Sequence, residues 1–228
     1  MESDKPCIRM TDISVEHSGA TVCENLSLTI DVGSLVLLTG RNPACWSVVM
    51  RMIGGLQPIP TGVIELWGIP VQRISRRVLS SQVCFVPRQQ HPLFAYPVID
   101  YVLQGIEPNL KPLQAPAETD RERARDILNG LHIEKLMYRD SSLLSNRERQ
   151  LVVVARALMQ DAHLLMIDEP FDSLNEQDVS IVLAIFKSLA HSHDKTVIMA
   201  MLETGPALAA ADRLVTFEYM GIIDKRLP

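Results

Sequence analysis

The stretch "LLSNRERQLVVVARALMQDAHLLMIDEP", residues 143–170, holds the two kinds of element that decide the fold. Ser145 and Glu148 stand at the S/T-x-x-E spacing, in which a hydroxyl caps a helix and the carboxylate reaches back to the cap. Apolar "LVVVARAL" follows, so a helix is expected there. Then comes "HLLMIDEP", a short unbroken apolar run closed by Asp168 and Glu169. Such a run suits a strand covered on both faces, as in a parallel sheet. A helix feeding a doubly buried strand reads as an α/β protein.

Working outward, further β-rich runs are "IRMTDISV", "LSLTI", "LVLLTG", "GVIELWG", "VCFVP", "TVIMAML" and "RLVTFEYMGIID". The early ones alternate more and lie closer together, which suits an antiparallel subdomain at one edge of a mostly parallel sheet. Helical patterns separate the later ones. The middle of the chain differs. A Pro-rich stretch, "EPNLKPLQAPAETD", precedes helix; Thr119 and Glu122 form a second S/T-x-x-E box, and Ala124, Ile127, Leu128 and Leu131 give one apolar face. Residues 92–160 are therefore expected to form a helical subdomain inserted into an α/β core of 1–91 and 161–228, all within a single domain spanning 1–228. The loop 106–118 is expected to be mobile.

The chain has 228 residues and a formal net charge of −5. That length suffices for one α/β domain with a sizeable core. The acidic balance argues against a dedicated nucleic-acid binder. No apolar run approaches the length of a bilayer span, and "MESDKPCIRM" has no apolar signal region. Cys7, Cys23, Cys45 and Cys84 are scattered without C-x-x-C spacing, so free thiols in a reducing cytoplasm are expected and a zinc site is not. His191 and His193 read as part of a solvated loop.

Candidate chemistry begins with the acids. Asp168 at a strand tip is placed to orient Mg²⁺, and Glu169 to polarise an attacking water. A second candidate is "LTGRNPACWSVV", residues 38–49, where a strand ends in glycine and a serine opens an apolar helix.

Nearly end to end, the chain resembles the ATP-binding subunits of ABC transporters. The resemblance is carried by "ENLSLTI", the strand–loop–helix at 35–56, "CFVPRQQ", "LLSNRERQLVVVARALMQDAHLLMIDEPFDSLN" and "TVIMAMLETGPALAAADRLV". The register of "SRRVLSSQVCFVPRQQHPLFAYPVIDYVLQG" is similar to importers of metal chelates such as siderophores, haem and cobalamin. The resemblance implies a P-loop NTPase-type core and ATP with Mg²⁺ as cofactors. It also implies transmembrane permease subunits as partners, a homo- or heterodimer with another ABC ATPase, and a peripheral position on the inner face of the cell membrane.

Laid on this chain, the family's motifs are incomplete. The phosphate loop G-x-x-x-x-G-K-[ST] falls on Gly40 to Ser47. Gly40, Asn42, Ala44 and Ser47 are the positions implied to meet nucleotide, with Ser47 on the metal. Pro43 has no N–H, Cys45 stands for the flexible glycine, and Trp46 stands for the lysine. Loss of that charged donor alone predicts phosphate binding weaker by about tenfold to a hundredfold, and Trp46 is expected to pack into the empty cradle. In the signature L-S-G-G-[EQ]-x-Q, which in the family faces nucleotide on the opposite subunit, Ser145 and Gln150 match. Asn146 and Arg147 replace the glycines, and Arg147 is expected to block close approach or face water. The switch histidine falls on Leu202, which cannot hydrogen-bond a phosphate. The Q-loop glutamine falls on Arg88, with Gln89, a candidate metal ligand, one residue on. The D-loop aspartate falls on Asn175, and the adenine-stacking aromatic on His17. The Asp168–Glu169 pair alone is whole. Three readings follow: a transporter subunit with little or no hydrolysis of its own, a non-catalytic scaffold or regulator, and an unorthodox ATPase using Arg41, Arg88 or Arg147.

Overall fold

The computed structural model describes residues 5–17, 20–88, 95–111, 113–218 and 221–227. In chain order the elements are β1 (Ile8–His17), β2 (Ala20–Ile30), β3 (Leu35–Gly40), α1 (Pro43–Ile53), β4 (Val63–Leu66), β5 (Ile69–Pro70), α2 (Arg76–Gln82) and β6 (Val83–Val86). Then follow α3 (Val98–Leu103), α4 (Glu118–Gly130), α5 (Asn146–Gln160), β7 (Leu164–Asp168), α6 (Glu176–His193), β8 (Thr196–Ala200), β9 (Arg213–Glu218) and β10 (Gly221–Arg226).

The central sheet runs β10-β9-β3-β8-β7-β6. Strands β9, β3, β8, β7 and β6 are parallel, and β10 closes the edge antiparallel to β9. A separate antiparallel sheet has the order β2-β1-β4-β5. Side chains alternate across a strand, and the central strands bury both sets. Leu35 and Leu37 of β3, Leu165 and Ile167 of β7, and Val197 and Met199 of β8 face one core with α3–α6. Their neighbours Val36, Leu38, Leu164, Met166, Ile198 and Ala200 face a second core with α1 and the antiparallel sheet. Two buried faces are why these runs read as unbroken apolar sequence.

Four expectations need correction. "RLVTFEYMGIID" is two strands, β9 and β10, paired as a hairpin from Gly221 opposite Glu218 to Arg226 opposite Arg213. Helix α4 starts before Thr119: Ala117 is its cap, and the Asp120 carboxylate accepts from the Ala117 N–H at 2.8 Å. The first part of the 106–118 loop is anchored. Residues 104–109 form a 3₁₀ turn, Asn109 donates to the Gln160 carbonyl at 2.9 Å, and a Cβ on Gly105 would lie 2.3 Å from the Arg156 carbonyl. His191 and His193 are in the last turn of α6, not a loop, with His191 Nε2 3.0 Å from the Asp212 carboxylate.

Candidate functional site

Strand β3 delivers the chain to Gly40 beside β9, so closely that a Cβ there would lie 2.6 Å from the Phe217 carbonyl. Glycine is required at this position by the neighbouring strand. The next residues are helical from Pro43 onward. Asn42 is the N-cap; its Oδ1 accepts from the Ala44 N–H at 3.0 Å, and its carbonyl accepts from the Cys45 N–H at 3.0 Å. Pro43 takes the first helical position, where a missing N–H costs nothing and the fixed φ suits the helix. Asparagine followed by proline is thus a helix start, and residues 43–46 are wound into the first turn of α1. That signal was legible in "RNPACWS", but the phosphate-loop frame concealed it.

Trp46 is fully buried in the core shared by α1 and both sheets. Its Nε1–H donates to Asp168 Oδ1 at 3.2 Å, and the Ser47 hydroxyl donates to Asp168 Oδ2 at 2.5 Å. Both oxygens of the acid at the tip of β7 are engaged by α1. Glu169 follows with φ +53, its N–H donating to the Ala200 carbonyl at 2.8 Å. Its Oε1 accepts from the backbone N–H of Leu202 at 3.0 Å, while the Leu202 side chain is 47% exposed. Burial lifts the Glu169 carboxyl above its ordinary value; the Leu202 amide and Arg88 oppose that, and Asp168 and Asp172 add to it. Arg88 Nε lies 3.8 Å from Asp172 on the surface. Gln89 lies outside the described residues. His17 ends β1 opposite Ala20.

At the start of α5, Ser145 is the N-cap. Its hydroxyl accepts from the Glu148 N–H at 3.3 Å, and Glu148 Oε2 accepts from the Ser145 N–H at 2.9 Å and hydroxyl at 2.7 Å. These bonds hold the Glu148 carboxyl below its ordinary value, with Arg139 and Arg147 adding to the effect against partial burial. Gln150 Nε2 donates to the Pro170 carbonyl at 2.9 Å, tying α5 to the loop after Glu169. Arg147 is exposed, as expected, and its guanidinium also pairs with Asp178 of α6, Nε to Oδ2 at 2.5 Å and Nη2 to Oδ1 at 2.7 Å. Asp178 lies outside every motif, so the sequence did not single it out. Asn175, at the D-loop position, caps α6 by accepting from the Asp178 N–H at 2.9 Å.

The cysteine expectation is also corrected. Cys23 of β2 and Cys45 of α1 form a disulfide, with their Cα atoms 6.3 Å apart across 22 residues of sequence. The two sit in one core that linear spacing does not reveal. Cys7 and Cys84 are free and buried, and burial pushes each thiol up to about 12. Among the described residues no group of three or more metal-ligating side chains forms, and no helix is long and apolar enough to cross a membrane.

A family model described as "ABC transporter" matches residues 23–172. The chain belongs to the ABC transporter family. It is 32% identical over 187 residues to an uncharacterized ABC transporter ATP-binding protein of Haemophilus influenzae, covering 82% of this chain and 71% of that protein. It is 30% identical over 209 residues to the cobalamin import ATP-binding protein BtuD of Halobacterium salinarum, covering 90% of this chain and 51% of that one. The chain thus spans about half the length of this second relative. A dimeric bacterial ABC transporter cassette shares the fold with TM-score 0.84 at 19% identity, covering 97% of this chain and 99% of that one. A nucleotide-free ATP-binding cassette does so with TM-score 0.82 at 21% identity, covering 98% and 92%. The chain is an α/β ABC ATP-binding domain.

Proposed function

We propose that this chain is the ATP-binding-type subunit of an import system, docking on membrane permease subunits at the cytoplasmic face, and that it contributes little or no ATP turnover of its own. Relatives named as import ATP-binding proteins, including one for cobalamin, support the import assignment and agree with the metal-chelate register of residues 75–105. The observation that carries the loss of turnover is Trp46, fully buried and bonded to Asp168 beneath a loop wound into helix.

A phosphate cradle works by converging backbone N–H groups and a lysine on the phosphates. Here the Ala44 and Cys45 N–H groups are used by Asn42, Pro43 has none, and a buried indole stands where the ammonium would be. At the metal position the Ser47 hydroxyl donates its proton to Asp168 and keeps its lone pairs, so the obstacle lies in the wound loop and in Trp46, which takes the other Asp168 oxygen. The residues present do not fit a Mg²⁺–triphosphate without unwinding the first turn of α1. Glu169 stays at the end of β7 with its Oε1 held by the Leu202 amide, but at the signature end of α5 Arg147 is paired within the chain.

Calorimetric titration with ATP, with and without Mg²⁺, tests this reading. The native chain is expected to show no saturable heat at millimolar ATP. The triple change Pro43→Gly, Cys45→Gly, Trp46→Lys is expected to restore measurable affinity. Tight binding by the native chain would sink the proposal, and a triple variant that folds yet stays silent would show that the loop is not what limits binding.

A further inference from the structure

The pairing of Arg147 with Asp178 joins two helices that come from different parts of the chain. Arg147 is the second residue of α5, and Asp178 is the third of α6. A cation in the first turn of a helix opposes the helix dipole, whereas an acid there favours it. Asp178 therefore suits its own helix, and Arg147 does not suit its own. Its guanidinium forks onto both oxygens of a carboxylate that is 3% exposed. Two-armed contacts of this type fix orientation as well as distance. A carboxylate so deeply buried would be left uncompensated if the arginine turned toward solvent or another chain. Arg139, by contrast, bonds Glu148 and the Leu143 carbonyl, all within residues 139–148.

We infer that Arg147 and Asp178 form a latch within the chain, locking the signature end of α5 to the start of α6. Arg147 is a positioning residue. It fixes the helices between β6 and β7 against the helix that packs on β8. It also commits two of the guanidinium's donors within the chain, leaving fewer for a partner subunit's phosphate at the signature turn, a consequence that rests on the family reading above. The latch itself does not.

Hydrogen exchange of the full chain tests it in two peptides, 143–150 and 175–182. In Arg147→Ala both are expected to exchange faster by about tenfold or more, the scale of a lost charged hydrogen bond. Arg147→Lys keeps the charge without the fork, and is also expected to speed the second peptide. Arg139→Ala is expected to speed the first peptide and leave the second unchanged. The latch is overturned if Arg147→Ala or Arg147→Lys folds and leaves 175–182 at the native rate, since a purely local role would move only 143–150. Titrating the native chain with ATP alongside separates the two readings. Coupled exchange with tight ATP binding would keep the latch and remove the proposed loss of turnover; uncoupled exchange with no binding would do the reverse.

Discussion

A single indole at residue 46, where the family resemblance places a lysine, is a buried neutral donor. Trp46 fills space in the core and also satisfies an acid, because Asp168 is 6% exposed and needs partners on both oxygens. Trp46→Phe keeps most of the volume and removes the N–H. Asp168 Oδ1 would then be buried without that donor, and a group left unsatisfied in this way costs about 1–3 kcal/mol. Urea denaturation should show that loss, with an unchanged slope. A variant as stable as the native chain would mean the indole contributes packing alone. Glu169 illustrates a different economy at the same scale. The Leu202 side chain cannot act as a polar sensor, yet its backbone amide still holds the Glu169 carboxylate, an interaction that depends on the course of the chain and not on the residue type.

Helix starts govern what could be foreseen at the scale of elements. The box at Ser145 and Glu148 was legible because both partners are side chains at a fixed spacing, and the structure forms it. The box at Thr119 and Glu122 has the same spacing but lies inside α4, where Ala117 and Asp120 hold the end instead. Spacing alone cannot tell a cap from two residues of a helix already begun. At α1 the Asn42–Pro43 start outweighed the loop frame, and the pairing of Arg147 with Asp178 was invisible because it spans 31 residues and two elements. The α5 box makes a pH prediction. Its bonds lower the Glu148 carboxyl in the folded chain, so their contribution is present above the ordinary carboxylate range and is lost as pH falls through the lowered value. Glu169, raised by burial, has the opposite sign: its contribution is present below the ordinary range and lost as pH rises. Exchange at residues 145–149 should therefore quicken on acidification beyond the intrinsic rate change. Glu148→Gln should flatten that extra dependence; an equally steep profile in this variant would place its origin elsewhere.

Across the whole molecule, the α/β class and the buried strands were readable because β3, β7 and β8 bury both faces, leaving unbroken apolar runs. The disulfide was not readable, since it depends on how the antiparallel sheet lies over α1. It closes 22 residues of sequence between two elements of one core. A cross-link of that size stabilises by about 2–4 kcal/mol, mainly by restricting the unfolded chain. Reduction, or Cys23→Ser, should lower the stability of the native chain by that amount. The two cores share the central strands, so the loss should be felt by the molecule as one unit. Trp46 and Trp67 both belong to the core beneath the antiparallel sheet, while most of the helical residues lie on the other face. Tryptophan fluorescence and far-ultraviolet dichroism should therefore report the same shifted midpoint. Alkylation after denaturation should label two cysteines before reduction, Cys7 and Cys84, and all four after it. Four labelled cysteines without reductant would remove the cross-link from the account. Separate fluorescence and dichroism midpoints would show instead that the antiparallel sheet and α1 melt apart from the rest, and that the shared strands do not bind the two cores into one cooperative body.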